Sequence, residues 1–360
     1  MMKVSVVLPH ELGASELAAW RAMQRSTPGL AGAFLSPGFA LAAGRVRRRA
    51  RVAVLEEGQE VMGFFPFEQG PFRVGRPIAA GACDAQGVIH APGLEWDAGE
   101  LLRGCGLDVW EFDHLVADQL ASAGRNVVRR SSPIIDLSRG YEAYVEERRR
   151  SSKKTFKSTL YKQRKLERDL GGSRFELEVR DPEALTVLMR WKSGQYRRTG
   201  RRDRFAIDWI ERLVRDLFET RSDGCVGTLS VLYAAERPVA AHFGLRSDSS
   251  LSCWFPAYDP ALARYSPGLS LHLRMAEAAA AAGVRCLDLG KGDEDYKQSL
   301  KTGELSVGEG WIDRPSAVAM VRRVQRTPRR LAFNLVSRRP GLRRAARGAL
   351  KRVASLRSSM

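Results

Sequence analysis

The stretch that decides the fold begins Leu251-Ser252-Cys253-Trp254-Phe255-Pro256-Ala257-Tyr258-Asp259. It passes through Arg264-Tyr265-Ser266-Pro267-Gly268 and ends at Asp288-Leu289-Gly290-Lys291-Gly292-Asp293-Glu294-Asp295-Tyr296-Lys297. Residues 251–258 are apolar and rich in aromatics, which predicts a strand. Pro267-Gly268 opens an alanine-rich helix over 268–282 that Gly283 closes, because proline suits the first helical turn and glycine the position after the last. Residues 285–289 read as the next strand. First-turn amides lack intrahelical partners and carry about half a positive charge, so phosphate binds readily at such a helix start. Gly268 and Leu269 would present backbone there, Ser266 and Ser270 hydroxyls, and Arg264 a charge-assisted contact.

Working outward, residues 228–233 and 239–246 form a hairpin around Ala235-Glu236-Arg237-Pro238, and 181–196 and 208–221 read as helices. Another strand is expected at 307–312. Towards the N-terminus, helices are expected at 15–25, with Ser15 as N-cap, and from Ser36-Pro37. Strands are expected at 51–56 and 60–68 around Glu57-Gly58, and at 108–112 and 133–137. The fold class is therefore mixed α and β. Val54-Leu55 and Val231-Leu232 precede the two hairpin turns at matching places, and one inserted residue sets Val61 opposite Val239. That points to internal duplication.

Residues 141–170 read as one long helix closed by Gly171-Gly172. It carries Arg148, Arg149, Arg150, Lys153, Lys154, Lys157, Lys162, Arg164, Lys165 and Arg168. This is either a solvated face or a positive wall toward an anionic ligand. The expected division is 1–140, 141–313 and a tail at 314–360.

The net charge of +18 is concentrated in that tail, which has 14 Lys and Arg and no acid. Residues 1–313 keep 45 basic against 41 acidic residues, +4, so the body is nearly neutral. Apolar positions such as Val318, Val321, Leu331, Phe333, Leu342 and Leu350 make the tail amphipathic. It is expected to favour an anionic membrane surface over nucleic acid, since aromatics to stack bases are few. No run has the ~18 apolar residues of a membrane span, and no secretory leader is read, so a cytoplasmic location is expected. Cys83, Cys105, Cys225, Cys253 and Cys286 form no CxxC pair, and His10, His90, His114, His242 and His272 have no metal-ligand spacing.

As a set, Trp254-Phe255-Pro256-Ala257-Tyr258-Asp259, Tyr265-Ser266-Pro267-Gly268 and 288–297 resemble the CelD/BcsL-type acetyltransferases of the GNAT superfamily. These are similar in turn to the Fem-type transferases, which are double GNAT folds. The resemblance is strong over about 225–313 and only in outline before it. It implies a tandem GNAT architecture and acyl transfer from acetyl-CoA or another acyl-CoA to an amine or hydroxyl, often in exopolysaccharide or cellulose production. The sequence lacks the usual Gln/Arg-x-x-Gly-x-Gly/Ala loop. An aminoacyl-tRNA donor of the Fem type and a non-catalytic accessory role are the alternatives.

By that resemblance, strands 239–246 and 251–258 part to receive the pantetheine arm, and the pyrophosphate sits at Gly268. Acyl transfer needs a base, an oxyanion donor and a proton for the thiolate. His242, amid apolar residues, is the expected base, with Asp259 orienting it or binding the acceptor. Tyr296 falls where many GNATs place the thiolate's proton donor, and Lys297 would bind phosphate or stabilise charge. Trp254, Tyr258, Asp288, Lys291 and Asp293 are expected to line the acceptor side.

Overall fold

Two hairpins carry the same irregularity at the same place. Strands β2 (Ala50–Glu57) and β3 (Glu60–Gln69) slip register between Leu55 and Glu56; β10 (Cys225–Ala234) and β11 (Arg237–Arg246) slip between Leu232 and Tyr233. Each slip directly follows the matched Val-Leu pair, which strengthens the case for duplication. The turn between β10 and β11 holds Ala235 and Glu236 at positive φ, as tight two-residue hairpin turns require.

The computed structural model describes residues 2–316 and 318–320. The remaining strands are β1 (Lys3–Val7), β4 (Val74–Pro77), β5 (Ile89–His90), β6 (Val109–Val116), β7 (Val127–Asp136), β8 (Ser173–Glu176), β9 (Arg221–Ser222), β12 (Ser250–Tyr258), β13 (Cys286–Asp288) and β14 (Gly303–Asp313). The helices are α1 (Ala14–Ser26), α2 (Pro37–Val46), α3 (Ala98–Gly104), α4 (Tyr141–Ser151), α5 (Lys153–Leu170), α6 (Pro182–Arg198), α7 (Asp208–Glu219), α8 (Pro267–Ala281) and α9 (Asp295–Leu300).

One continuous mixed sheet runs β1-β2-β3-β4-β6-β14-β7-β13-β12-β11-β10-β8. The two halves exchange strands at its centre. β7, early in the chain, pairs with β13, whereas β14, the last strand among the described residues, inserts between β6 and β7. A cut at residue 140 therefore leaves β7 with the first half in sequence but parts it from both of its neighbours in the sheet, β13 and β14.

The expected helices form for local reasons. Ser36 Oγ accepts the Phe39 N–H and caps α2. In α7, Ile210, Leu213, Val214, Leu217 and Phe218 are buried on one stripe against β10. The N-cap of α1 is Gly13 rather than Ser15. The long helix is two: Ser152 leaves helical dihedrals, and the Arg148 guanidinium, buried, bonds both Ser152 Oγ and the Lys301 carbonyl. Gly171 closes α5 in the left-handed region.

Helices α1, α2, α6 and α7 cover one sheet face over a core shared by both halves. There Trp20 stacks on Phe64 at 4.6 Å, and Phe34 meets Trp254 edge-on at 5.3 Å. On the other face α3 covers the first half, and α4, α5 and α8 the second. The tail beyond residue 320 lies outside the described residues.

Candidate functional site

The expected parting of 239–246 from 251–258 does not occur. β11 and β12 pair from Ala240↔Tyr258 to Arg246↔Leu251, broken only by a bulge at Phe243/Gly244. The fork lies one strand further on. β12 and β13 run parallel and pair at only three positions, the last being Ser252↔Asp288. Beyond it, among the described residues, no strand joins that side of Cys253–Tyr258. The physical reason is local. β13 ends at Asp288, whose carboxylate accepts from the Gly290 N–H at 2.9 Å and the Ser132 hydroxyl at 2.7 Å. Gly290 and Gly292, both at positive φ, then turn the chain away.

The start of α8 stands beside the far end of the β12 edge: a Cβ on Gly268 would lie 3.4 Å from the Tyr258 ring. Ser266, in the left-handed region, sets the turn into α8, and its hydroxyl accepts from Lys162 Nζ at 3.0 Å. One cation of the basic α5 is thus delivered to a helix N-terminus. Arg264 donates to the Tyr265 hydroxyl at 2.9 Å, which in turn donates to Asp169. Leu269 is half-buried against the core under α8, and the Ser270 hydroxyl is buried without a partner.

The first half repeats the fork and fills it. β4 and β6 are also parallel and pair only at Val74↔Val109 and Gly75↔Trp110. Gln86 then occupies the open edge. Its N–H donates to the His114 carbonyl, its carbonyl accepts from Val116, and its Oε1 accepts from the Asp113 and His114 amides. Among the described residues, the second fork has no such plug.

His242 and His272 lie under that fork. The Trp254 N–H, at the β12 bulge, donates to His242 Nε2 at 3.2 Å, which puts the proton on Nδ1. His272 Nδ1 donates to the Gly268 carbonyl at 2.7 Å. The rings stand 6.3 Å apart, with His242 Nδ1 and His272 Nε2 both buried and unpartnered. Burial holds the His242 pKa well below the ordinary range, helped by His272 and Lys192, and burial likewise lowers that of His272. His242 is thus neutral, but it is fully enclosed and its accepting nitrogen is spent on a backbone amide. It braces the bulge.

Other expected residues also prove to be braces. The Asp259 carboxylate caps the Ala261 N–H, past the end of the pairing and away from His242. Lys297 is buried; its Nζ donates to the Gly290 and Lys291 carbonyls and pairs with Glu294 at 3.2 Å, clamping the loop. Trp254 packs among Phe34, Phe39, Phe243 and Phe255 rather than toward an acceptor. Asp288 is held inside, with its pKa raised by burial. Tyr258 is exposed beside Gly268, and Asp293 lies in the loop before α9. Tyr296 stands over the fork, its ring 5.6 Å from that of His272, and burial raises its pKa so that it stays protonated.

Four residues without a role in the sequence reading, Lys192, Asp84, Asp113 and His114, lie near the same region, the last three joined to it through Lys291. Lys192, on α6, donates to the Pro256 carbonyl at 2.9 Å. Burial, then Arg201, lowers its pKa to about 8. In the first half, His114 Nδ1 donates to Asp113 at 3.0 Å and its Nε2 lies 3.9 Å from Asp84. Burial pulls the Asp113 pKa up, but His114 outweighs it and the value falls to about 2. Lys291 Nζ donates to the Asp113 carbonyl at 2.8 Å, so the glycine loop bridges the two halves. Nothing in the spacing of Asp84, Asp113 and Lys291 signals that meeting; only the strand exchange makes it. Among the described residues no cluster of three His, Cys, Asp or Glu could hold a metal.

A family profile described as an acetyltransferase (GNAT) domain matches residues 153–298, spanning α5 to α9. The crystal structure of FemX superposes with a TM-score of 0.60 at 12% identity, covering 89% of this chain and 99% of that one. Within this FemX-like mixed α/β fold, residues 153–298 carry the GNAT match. The C-terminal domain of a putative lysylphosphatidylglycerol synthetase from Agrobacterium fabrum superposes with a TM-score of 0.51 at 14% identity over 79% of this chain and 90% of that domain. No curated protein matches the sequence. In GNAT terms, the matched region contains the fork, the α8 start and Lys192 together. No helix among the described residues is long and apolar enough to cross a membrane.

Proposed function

We propose that this protein transfers an acyl group from acyl-CoA to an amine or hydroxyl acceptor, with the donor held by the second half. The observation that carries this reading is the open β12 edge ending beside the start of α8. An extended pantetheine arm pairs with such an edge as an added strand does, and its diphosphate meets the first-turn amides, Ser266 and Lys162. The plugged fork of the first half explains why one donor serves two halves.

The acceptor approaches from the side where Lys291 meets Asp113, whose carboxylate is held by His114. Its nucleophile attacks the thioester carbonyl, and Tyr296, kept protonated, supplies the departing thiolate with a proton. Lys297 holds the loop beneath Tyr296 rather than touching the donor.

The test is thermal denaturation with CoA, followed by thiol release from acetyl-CoA against amine and sugar-nucleotide libraries. A CoA-dependent rise in Tm with acceptor-dependent thiol release supports the reading. Activity that requires charged tRNA would move the donor to the Fem class. No CoA effect on Tm together with no thiol release would end both the donor assignment and the enzymatic reading.

A further inference from the structure

Acyl transfer needs a hydrogen-bond donor at the thioester oxygen, because negative charge develops there in the transition state. The obvious backbone donor at this point of the sheet is the amide of the β12 bulge. In this chain that amide, Trp254 N–H, is already given to His242 Nε2. The next residues offer little. Pro256 has no N–H, and its carbonyl is covered by Lys192 Nζ at 2.9 Å. Lys192 thus places an ammonium on the stretch of β12 that has lost its β13 partner. It arrives from α6, on the face opposite to α8, and its Nζ lies 5.3 Å from the Tyr196 ring centroid.

We propose that Lys192 is the oxyanion-stabilising catalytic residue of the acyl transfer, an inference that rests on the acyl-CoA reading above. The acceptor's lone pair forms a bond to the thioester carbon, and the C=O electrons move to the oxygen. Lys192 leaves the Pro256 carbonyl and donates to that oxygen. The carbonyl re-forms as the C–S bond breaks, and the thiolate takes the proton of Tyr296. The acceptor's proton passes to water, and Tyr296 regains one from water. Lys192 keeps its own proton throughout.

The surroundings tune that proton. Facing Lys192 are Tyr196 on its own helix, Arg201 on the following loop, Glu294 before α9, Lys297 within α9, His242 of β11 and His272 of α8. Glu294 favours the charge; burial, Arg201 and Lys297 oppose it, leaving a pKa of about 8. An oxyanion donor must be protonated, so activity must fall as pH rises through that value.

The experiment is thiol release from acetyl-CoA with hydroxylamine as the acceptor, measured from pH 6.5 to above 9 on the full chain. Lys192→Met is expected to lower kcat by about 100- to 1,000-fold with the KM for acetyl-CoA little changed. Lys192→Arg, always charged, is expected to keep part of the activity and to lose the fall near pH 8. A CoA-induced rise in Tm confirms that each variant folds and binds the donor. The proposal is overturned if Lys192→Met keeps wild-type kcat, if Lys192→Arg keeps the fall, or if wild-type activity climbs through pH 8, as a base would require. A wild-type protein that neither binds CoA nor releases thiol removes the acyl-CoA reading itself, and this proposal with it. A protein that binds CoA while Lys192→Met stays fully active removes only the role of Lys192.

Discussion

Lys162 Nζ and Ser266 Oγ lie 3.0 Å apart across 104 residues of chain. That bond joins the basic α5 to the start of α8, the place where an anionic donor has to be gripped. If the grip is real, Lys162→Ala should weaken the donor and spare the chemistry. A lost charge-assisted contact of about 1–2 kcal/mol corresponds to a KM for acetyl-CoA raised about 5- to 30-fold, with kcat little changed. Steady-state kinetics in donor concentration check this.

Gly268 should be the most sensitive backbone position for donor binding. A Cβ there already approaches the Tyr258 ring to 3.4 Å. Gly268→Leu fills the space between α8 and the β12 edge while remaining compatible with helix. The expected result is a folded protein whose Tm no longer responds to CoA, read by thermal denaturation with and without the ligand.

Tyr296→Phe removes a hydroxyl without emptying volume. If Tyr296 protonates the thiolate, kcat falls by about 100-fold or more and the KM for the donor hardly moves. An unchanged kcat would assign the ring to packing against His272 alone.

His242 gives a stability prediction rather than a catalytic one. Replacing it by alanine takes the partner from the half-buried Trp254 N–H and leaves a cavity, which should cost about 2–4 kcal/mol in denaturant unfolding. The two buried histidines also set a pH dependence. Both have pKa values depressed in the folded state, chiefly by burial. The unfolded chain binds their protons below about pH 6.5, so their stabilisation is complete above that value and drains away as pH falls. Between about pH 7 and 5, His272→Gln should lose Tm less steeply than the wild-type protein.

Local signals are the legible part of this sequence. The helix start at Ser36-Pro37, the turn at Glu57-Gly58, the helix α7, the Pro-Gly start of α8 and the two hairpins each depend on residues near one another in the chain, although the cap of α1 falls at Gly13 rather than Ser15. The non-local features escaped. β13 has three residues, and its neighbours are residues 134–136 on one side and 250–252 on the other. Nothing adjacent to it announces that the sheet opens there instead of between β11 and β12. The break at Ser152 depends on Arg148 reaching the Lys301 carbonyl, a contact separated by 153 residues. β1, β4, β8 and α3 are short or lie at weakly patterned stretches.

The same distinction runs through the site. The α8 start is a local signal, and the order of the motifs is what draws attention to Tyr296. His242 and Lys297 were chosen as chemical residues, yet burial turned both into braces, because nothing in residue type reveals which side chains the packing encloses. Lys192 gave no signal beyond a lysine next to Trp191 on a helix, and only the fold sets it on the β12 edge. Asp84, Asp113 and His114 come from the half with the plugged fork and reach the site only through the exchanged strands.

A crystal structure with CoA bound is the most direct measure of the central claim. The account predicts the diphosphate against the first-turn amides of α8 within reach of Lys162, and the pantetheine arm running along Cys253–Tyr258 in the gap that opens after Ser252↔Asp288. A CoA molecule seated elsewhere, with β12 untouched and the amides beside Gly268 empty, would contradict it.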